Sequence, residues 1–191
     1  MSNFLSEKEL AELGLKAYGK DVLIGRHVVL YSPSQLTLGD HVRIDDFTIV
    51  RGKVTMGSYI HVSQYCGLYG GDEGIVMEDF SGLSAKCSVY AVSDDYTGLS
   101  MTNPMVPAKY KPTMISKPVH IGKHAIIGCN SVVLPGVDIP EGAAVGSLSC
   151  VTRSLESWSI NIGIPAKKKS DRAKDILELE KQFWADQKQG V

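Results

Sequence analysis

The sequence predicts an all-β protein, a parallel β-helix flanked by short α-helices, and three observations lead there. An aliphatic residue falls at every sixth position from Ile121 through Ile127, Val133, Ile139 and Val145 to Val151. The same beat runs through Leu38, Ile44, Val50, Met56, Val62 and Leu68, after a fainter start at Ile24, Leu30 and Leu36, and resumes at Met77, Leu83 and Val89. The segments on either side of the repeats are patterned as helices instead. A six-residue beat fits neither the strand period of about 2 nor the helix period of about 3.6. It suits a short strand and a bend repeated so that one side chain per edge faces a common axis, three edges making a coil.

Taken in order, Ser6 and Glu9 have capping-box spacing and open a helix expected over about 6–18, with Leu10, Leu13 and Ala17 on one face. The β-helix follows over about 21–156. Gly122, Gly128 and Gly146 come directly after aliphatic beats, where the chain turns and glycine supplies conformational freedom. A phase slip of three between Leu68 and Met77 coincides with Gly70, Gly71 and Gly74, which reads as a bulge. The larger break carries Pro104, Pro107, Pro112 and Pro118, and proline cannot donate to a sheet ladder, so about 95–118 is expected as an external loop shaping an acceptor pocket. The last segment, about 170–188, sets Ala173, Ile176, Leu177, Leu179, Phe183 and Trp184 among charges and reads as an amphipathic helix. All of this is expected to form one domain over 1–191.

Composition narrows the classes further. A formal net charge of -1 gives no reason to expect nucleic acid or a charged membrane surface as partner. No apolar run approaches the roughly 20 residues of a membrane span, and no secretory pattern opens the chain, so a cytoplasmic protein is expected. Cys66 and Cys87 each fall four places after a beat, at Val62 and Leu83, and should stack inward on neighbouring rungs as packed thiols. His27, His41 and His124 sit three places after a beat, a turn position, whereas His61 and His120 immediately precede one and should face outward.

Two stretches then carry a family resemblance: VHIGKHAIIGCNSVVLPGVDIPEGAAVGSLSCV from Val119 to Val151, and INIGIPAKKK from Ile160. They resemble the hexapeptide-repeat acyltransferases, specifically the coenzyme A-dependent sugar acetyltransferases, over about residues 20–172. The resemblance implies a left-handed coil, a homotrimer, active sites in grooves between subunits, and acetyl-CoA lying along the coils with no metal. It places cofactor contacts at Gly128 and Ser131, at Gly146, Ser147, Leu148 and Ser149, and at Gly163, Ile164, Pro165, Ala166 and Lys167. Lys167 would meet phosphate by charge.

In maltose and galactoside O-acetyltransferases a histidine base follows the coil just before the excursion, in a stretch similar to VYAVSDDYTG here. That position is Asp94, followed by Asp95. A carboxylate with an ordinary pKa near 4 is a poor base for a sugar hydroxyl, whereas a neutral amine already carries its lone pair. The departure points to an amino-sugar acceptor. SDDYTG, TNPMVP and HVSQYCGLYGG also resemble transferases that acetylate a nucleotide-linked 4-amino-4,6-dideoxy sugar for surface polysaccharides such as lipopolysaccharide O-antigen. On this reading His61 of one subunit and Asp94 or Asp95 of another flank the acceptor. Three alternatives stand beside it: O-acetylation of a hydroxyl, a zinc-dependent carbonic anhydrase on the same coil, and a non-catalytic scaffold.

Overall fold

Three columns of stacked side chains run down the inside of a coil of about seven turns in the computed structural model, which describes residues 3–189. The first column is Leu38, Met56, Met77, Ile121 and Ile139. The second is Ile24, Ile44, Val62, Leu83, Ile127 and Val145. The third is Leu30, Val50, Leu68, Val89, Val133 and Val151. All pairs are parallel and all members except half-buried Leu30 are buried, so each face of a left-handed parallel β-helix presents one column inward. Burial of each aliphatic side chain contributes about 1.5–3 kcal/mol, and repetition over three faces makes this the dominant stabilising term.

Interruptions of the beat are accommodated locally. The faint start at Ile24, Leu30 and Leu36 leads the main phase by two residues, which a 3₁₀ turn at Pro33–Gln35 absorbs; Leu38, in the same strand as Leu36, takes the column position. The three-residue slip sits inside one long strand, Gly67–Met77, whose register against Ile49–Met56 shifts on both sides of Gly52. The largest interruption leaves through Val92–Ser93 and returns through Ile115–Ser116, which pair antiparallel and hold the excursion at its base.

Both end helices are shorter than their sequence patterns. Helix α1 spans Glu7–Glu12 under the Ser6–Glu9 capping box. Gly14 then takes φ +70°, and Ala17–Tyr18 pairs as a strand with Thr37–Leu38 instead of continuing the helix to 18. The coil thus begins before 21. It also continues beyond 156, because Ser159–Ile162 pairs parallel with Ala144–Val145 and Lys167–Asp171 folds back antiparallel on it. Helix α2 therefore starts at Ile176, not near 170, and runs to Gln189. Sheet pairing takes the first residues of the amphipathic pattern.

Candidate active site

The outward row of the second face reads Arg43, His61, Gly82, Ile126 and Ala144, in register on successive rungs. His61 is half-exposed, and its Nε2 lies 2.8 Å from Asp45 Oδ2. Asp45 also accepts from Arg43 Nε at 2.7 Å. Burial pushes the Asp45 carboxyl up, but the hydrogen bonds from Arg43 and His61 outweigh it and hold the group below its ordinary range. An ionised carboxylate only accepts, so Nε2 of His61 carries a proton and Nδ1 is the acceptor of the neutral ring.

Around His61 lies a cavity of about 530 Å³, lined also by Ser63, Gly82, Ser84, Ile126 and Cys129. Helix α2 borders it through Ile176. The helix is fastened by Glu180, which takes hydrogen bonds from Lys123 Nζ at 2.6 Å and Trp184 Nε1 at 3.0 Å and lies 2.8 Å from His124 Nε2. Phe183 and Trp184 pack edge-on against Tyr59 and Phe80. His41 and His124 take left-handed corner positions and stack on Tyr59 and Phe80, which is a structural role.

A second and larger cavity, about 1210 Å³, opens between the third face and the base of the excursion. Its lining includes Arg51, Tyr69, Tyr90, Asp94, Tyr96 and Lys111. The rings of Tyr69 and Tyr90 stack at 4.8 Å, and the Arg51 guanidinium lies 5.8 Å from the Tyr31 ring centre. Asp94 accepts one backbone hydrogen bond, from Asn103 N–H at 3.1 Å to Oδ2, and faces this cavity.

Asp95 requires a correction. Its Oδ1 accepts from the Thr97 N–H and hydroxyl, and its Oδ2 accepts from the N–H groups of Leu99 and Ser100. The Thr97 bonds chiefly hold its pKa down at about 2. A buried carboxylate with both oxygens occupied organises the loop and is a poor proton acceptor. Asp94 and His61 line different cavities, so one copy of the chain does not bring them together.

The positions read as cofactor contacts divide in two. Ser131 and Ser149 are buried inside the coil, where they belong to a polar ladder that begins at Thr48 and includes Cys66 and Cys87. Ser131 Oγ donates to Gly146 O and accepts from Ser149 N–H, while Ser149 Oγ accepts from Gly163 N–H. Their hydroxyls are committed to the backbone and unavailable to a cofactor. Ser147, Leu148, Gly163, Ile164, Pro165 and Lys167 are exposed, with Gly128, Gly146 and Ala166 half-buried beside them. Gly128 is glycine because a Cβ would lie 2.5 Å from Ser147 N; at Gly146 it would lie 2.7 Å from Ile162 Cγ2. Close approach of neighbouring rungs, not torsional freedom, sets these two residues. Lys167 opens an exposed strand, and Lys168 is tied by 2.8 Å ion pairs to Glu156 and Asp171.

Sequence reasoning passed over Ser84, Asp45 and Arg51. Ser84 and Asp45 follow the beats at Leu83 and Ile44, as Gly128 and Gly146 follow theirs, so the beat contained that signal. Arg51 likewise follows the beat at Val50, although its surroundings come from the excursion. Among the described residues, no group of three or more His, Cys, Asp or Glu side chains is placed to hold a metal ion, and no helix is long and apolar enough to cross a membrane.

Comparison with known proteins extends this geometry. No family model matches the chain. It is 40% identical over 183 residues to the dTDP-4-amino-4,6-dideoxy-D-glucose acyltransferase of Escherichia coli, covering 94% of each chain. It superposes with a TM-score of 0.96 on AntD, an N-acyltransferase from Bacillus cereus solved with dTDP and 3-hydroxybutyryl-CoA, at 42% identity over 98% of this chain and 100% of that one. Structures of AntD include variants substituted at an aspartate numbered 94 and a serine numbered 84, two of the serine variants with dTDP-4-amino-4,6-dideoxyglucose and coenzyme A bound; this chain carries Asp94 and Ser84 at those numbers. A maltose O-acetyltransferase from Clostridium difficile, 15% identical with a TM-score of 0.54 over 88% of this chain and 75% of that one, shares the fold.

Proposed function

The chain belongs to the hexapeptide-repeat family of nucleotide-linked amino-sugar N-acyltransferases, and from that premise we propose that it transfers an acyl group from an acyl-CoA thioester to the 4-amino group of a dTDP-linked 4-amino-4,6-dideoxy sugar. The product would serve surface polysaccharide synthesis. The observation that carries the proposal is the division of chemistry between the two cavities. The larger offers two carboxylates, two cations and tyrosine rings, which suit an amine, a diphosphate and a base. The smaller offers serine and histidine over an apolar floor, which suits a thioester.

Because Asp94 and His61 belong to different cavities of one copy, the site is completed between copies, and a homotrimer in the manner of the family closes each cavity against its neighbour. Asp94 of one subunit hydrogen-bonds the acceptor amine and points its lone pair at the thioester carbonyl held by the next. Nitrogen attack forms the C–N bond and a tetrahedral oxyanion, to which Ser84, a hydroxyl lining the smaller cavity, donates. Collapse breaks the C–S bond. The proton lost by nitrogen passes to His61 at Nδ1 and leaves with the coenzyme A thiolate as thiol. Gly128, Gly146 and the Gly163–Lys167 segment take the pantetheine and adenine ends of the cofactor.

The test is thiol release with acyl-CoA and dTDP-4-amino-4,6-dideoxyglucose, with product mass as confirmation. The proposal expects transfer to this sugar and at least a hundredfold less to the 4-hydroxy analogue. Equal rates on both would establish O-acylation instead.

A further inference from the structure

Among the described glycines, Gly82 has the weakest backbone reason to be glycine. Every other one either takes a positive φ or would place a Cβ under 3.0 Å from a neighbouring atom. Gly82 does neither: its φ is ordinary, and a Cβ would meet only the His61 carbonyl oxygen, at 3.2 Å. Glycine inside a strand costs about 0.5–1 kcal/mol relative to alanine. Here the fold avoids only one tight contact, with the His61 carbonyl, in return.

What the missing side chain creates is space. Gly82 lies in the floor of the His61 cavity, paired in register with His61 on one rung and Ile126 on the next. Ser84 follows two residues along the same strand edge, so the notch opens directly beside the proposed thioester position. The cavity around it is lined by Ile126, Ala125 and Leu83 and by the hydroxyls of Ser63, Ser81 and Ser84. Lys and Arg are absent from this floor, and Arg172, at the border, is engaged by the carbonyls of His124 and Gly142. A diphosphate would find no free cation there, whereas a hydrocarbon tail would find an apolar wall at Ile126.

Resting on the proposed transfer reaction, we infer that Gly82 sets acyl length: the notch receives the carbons of an acyl group beyond acetyl. Ile126 is the far wall of the notch.

The experiment compares kcat/KM for acetyl-CoA, butyryl-CoA and 3-hydroxybutyryl-CoA in the wild type, Gly82→Ala, Gly82→Val and Ile126→Ala. The wild type should prefer the four-carbon donors. Gly82→Val should lower the four-carbon to acetyl ratio about tenfold or more, Gly82→Ala should lower it less, and Ile126→Ala should move the preference toward six carbons. Equal loss for all donors in both Gly82 variants, or a wild type that prefers acetyl, would overturn the inference. A fall in oligomer stability with an unchanged ratio would also overturn it, by assigning the notch to a neighbouring subunit. If no thioester is consumed with the amino sugar, the proposed reaction has failed. Calorimetric binding of the same donors then tests the notch separately, and a four-carbon preference that Gly82→Val abolishes still supports it.

Discussion

The two cavities are made by different means. The one around His61 is a product of register: its floor is an outward row of the coil, so His61, Gly82 and Ile126 meet because each occupies the same place in its own rung. The one around Asp94 is a product of interruption. Its walls come from the Gly52 register shift, the strands at the base of the excursion and the excursion itself. A repeat supplies a flat, extensible surface that suits a long cofactor. A departure from the repeat supplies a concave pocket whose shape is not bound by the rung spacing of about 4.8 Å, which suits recognition of one acceptor.

The sharpest way to break this division is to disable each cavity alone. Asp94→Asn keeps the size and one acceptor but removes the charge, and should reduce kcat/KM for the amino sugar at least a hundredfold. Binding of acyl-CoA, measured by calorimetry, should change less than threefold. Loss of acyl-CoA binding in that variant would mean that the larger cavity also serves the cofactor.

Mixing the damage sharpens the comparison further. Asp94→Asn and Ser84→Ala protomers are each expected to be severely impaired, yet trimers reassembled from equal parts should recover roughly a quarter of wild-type activity. Random assembly places an intact Ser84 face against an intact Asp94 pocket at one interface in four. If both groups act within one copy, mixing restores nothing.

The adjacent carboxylates separate chemistry from architecture within the second cavity. Asp95→Asn leaves one oxygen as acceptor for Thr97 or for Leu99 and Ser100, not for both sets, so the excursion should loosen. KM for the amino sugar should rise about fivefold to tenfold with kcat changed little, against the kcat loss of Asp94→Asn. Hydrogen exchange at the Leu99 and Ser100 amides should quicken. A kcat collapse with those amides still protected would return Asp95 to the chemistry.

The same contrast explains how much could be read beforehand. The columns from Leu38 to Val151 were legible because each rung repeats one physical demand, an aliphatic side chain at a fixed interval. Departures were legible as positions but not as contents: the slip at Gly70–Gly74 and the proline-rich break are visible, while the four hydrogen bonds onto Asp95 depend on a loop path that no period encodes. Ser131 and Ser149, whose backbone groups the family resemblance marks as cofactor contacts, show the opposite case in their side chains. They follow the repeat so closely that they stack inside it, where hydroxyls satisfy the backbone of the next rung and never reach solvent. The end helices were overextended because an amphipathic pattern does not reveal that a neighbouring strand will claim its first residues, as it does at Lys167–Asp171.

The smallest effect is expected at the border of the first cavity, where Glu180 fastens α2. Burial raises its pKa, but the hydrogen bonds from Lys123, His124 and Trp184 outweigh that and hold it down at about 2. A group whose pKa is lower folded than unfolded contributes its full stability above the unfolded value, near 4.5, and loses it as pH falls toward 2. Tryptophan emission from Trp184 should therefore report α2 loosening across that acid window. Glu180→Gln should lower stability at neutral pH by about 1–3 kcal/mol, the range for a charged hydrogen bond, and abolish this contribution to the acid transition. Acyl-CoA KM should rise only about twofold, because Ile176 touches the cavity through its edge while Gly82 and His61 form its floor. A tenfold rise would make α2 part of the cofactor site itself and dissolve the distinction between a cavity set by the coil and one set by its interruptions.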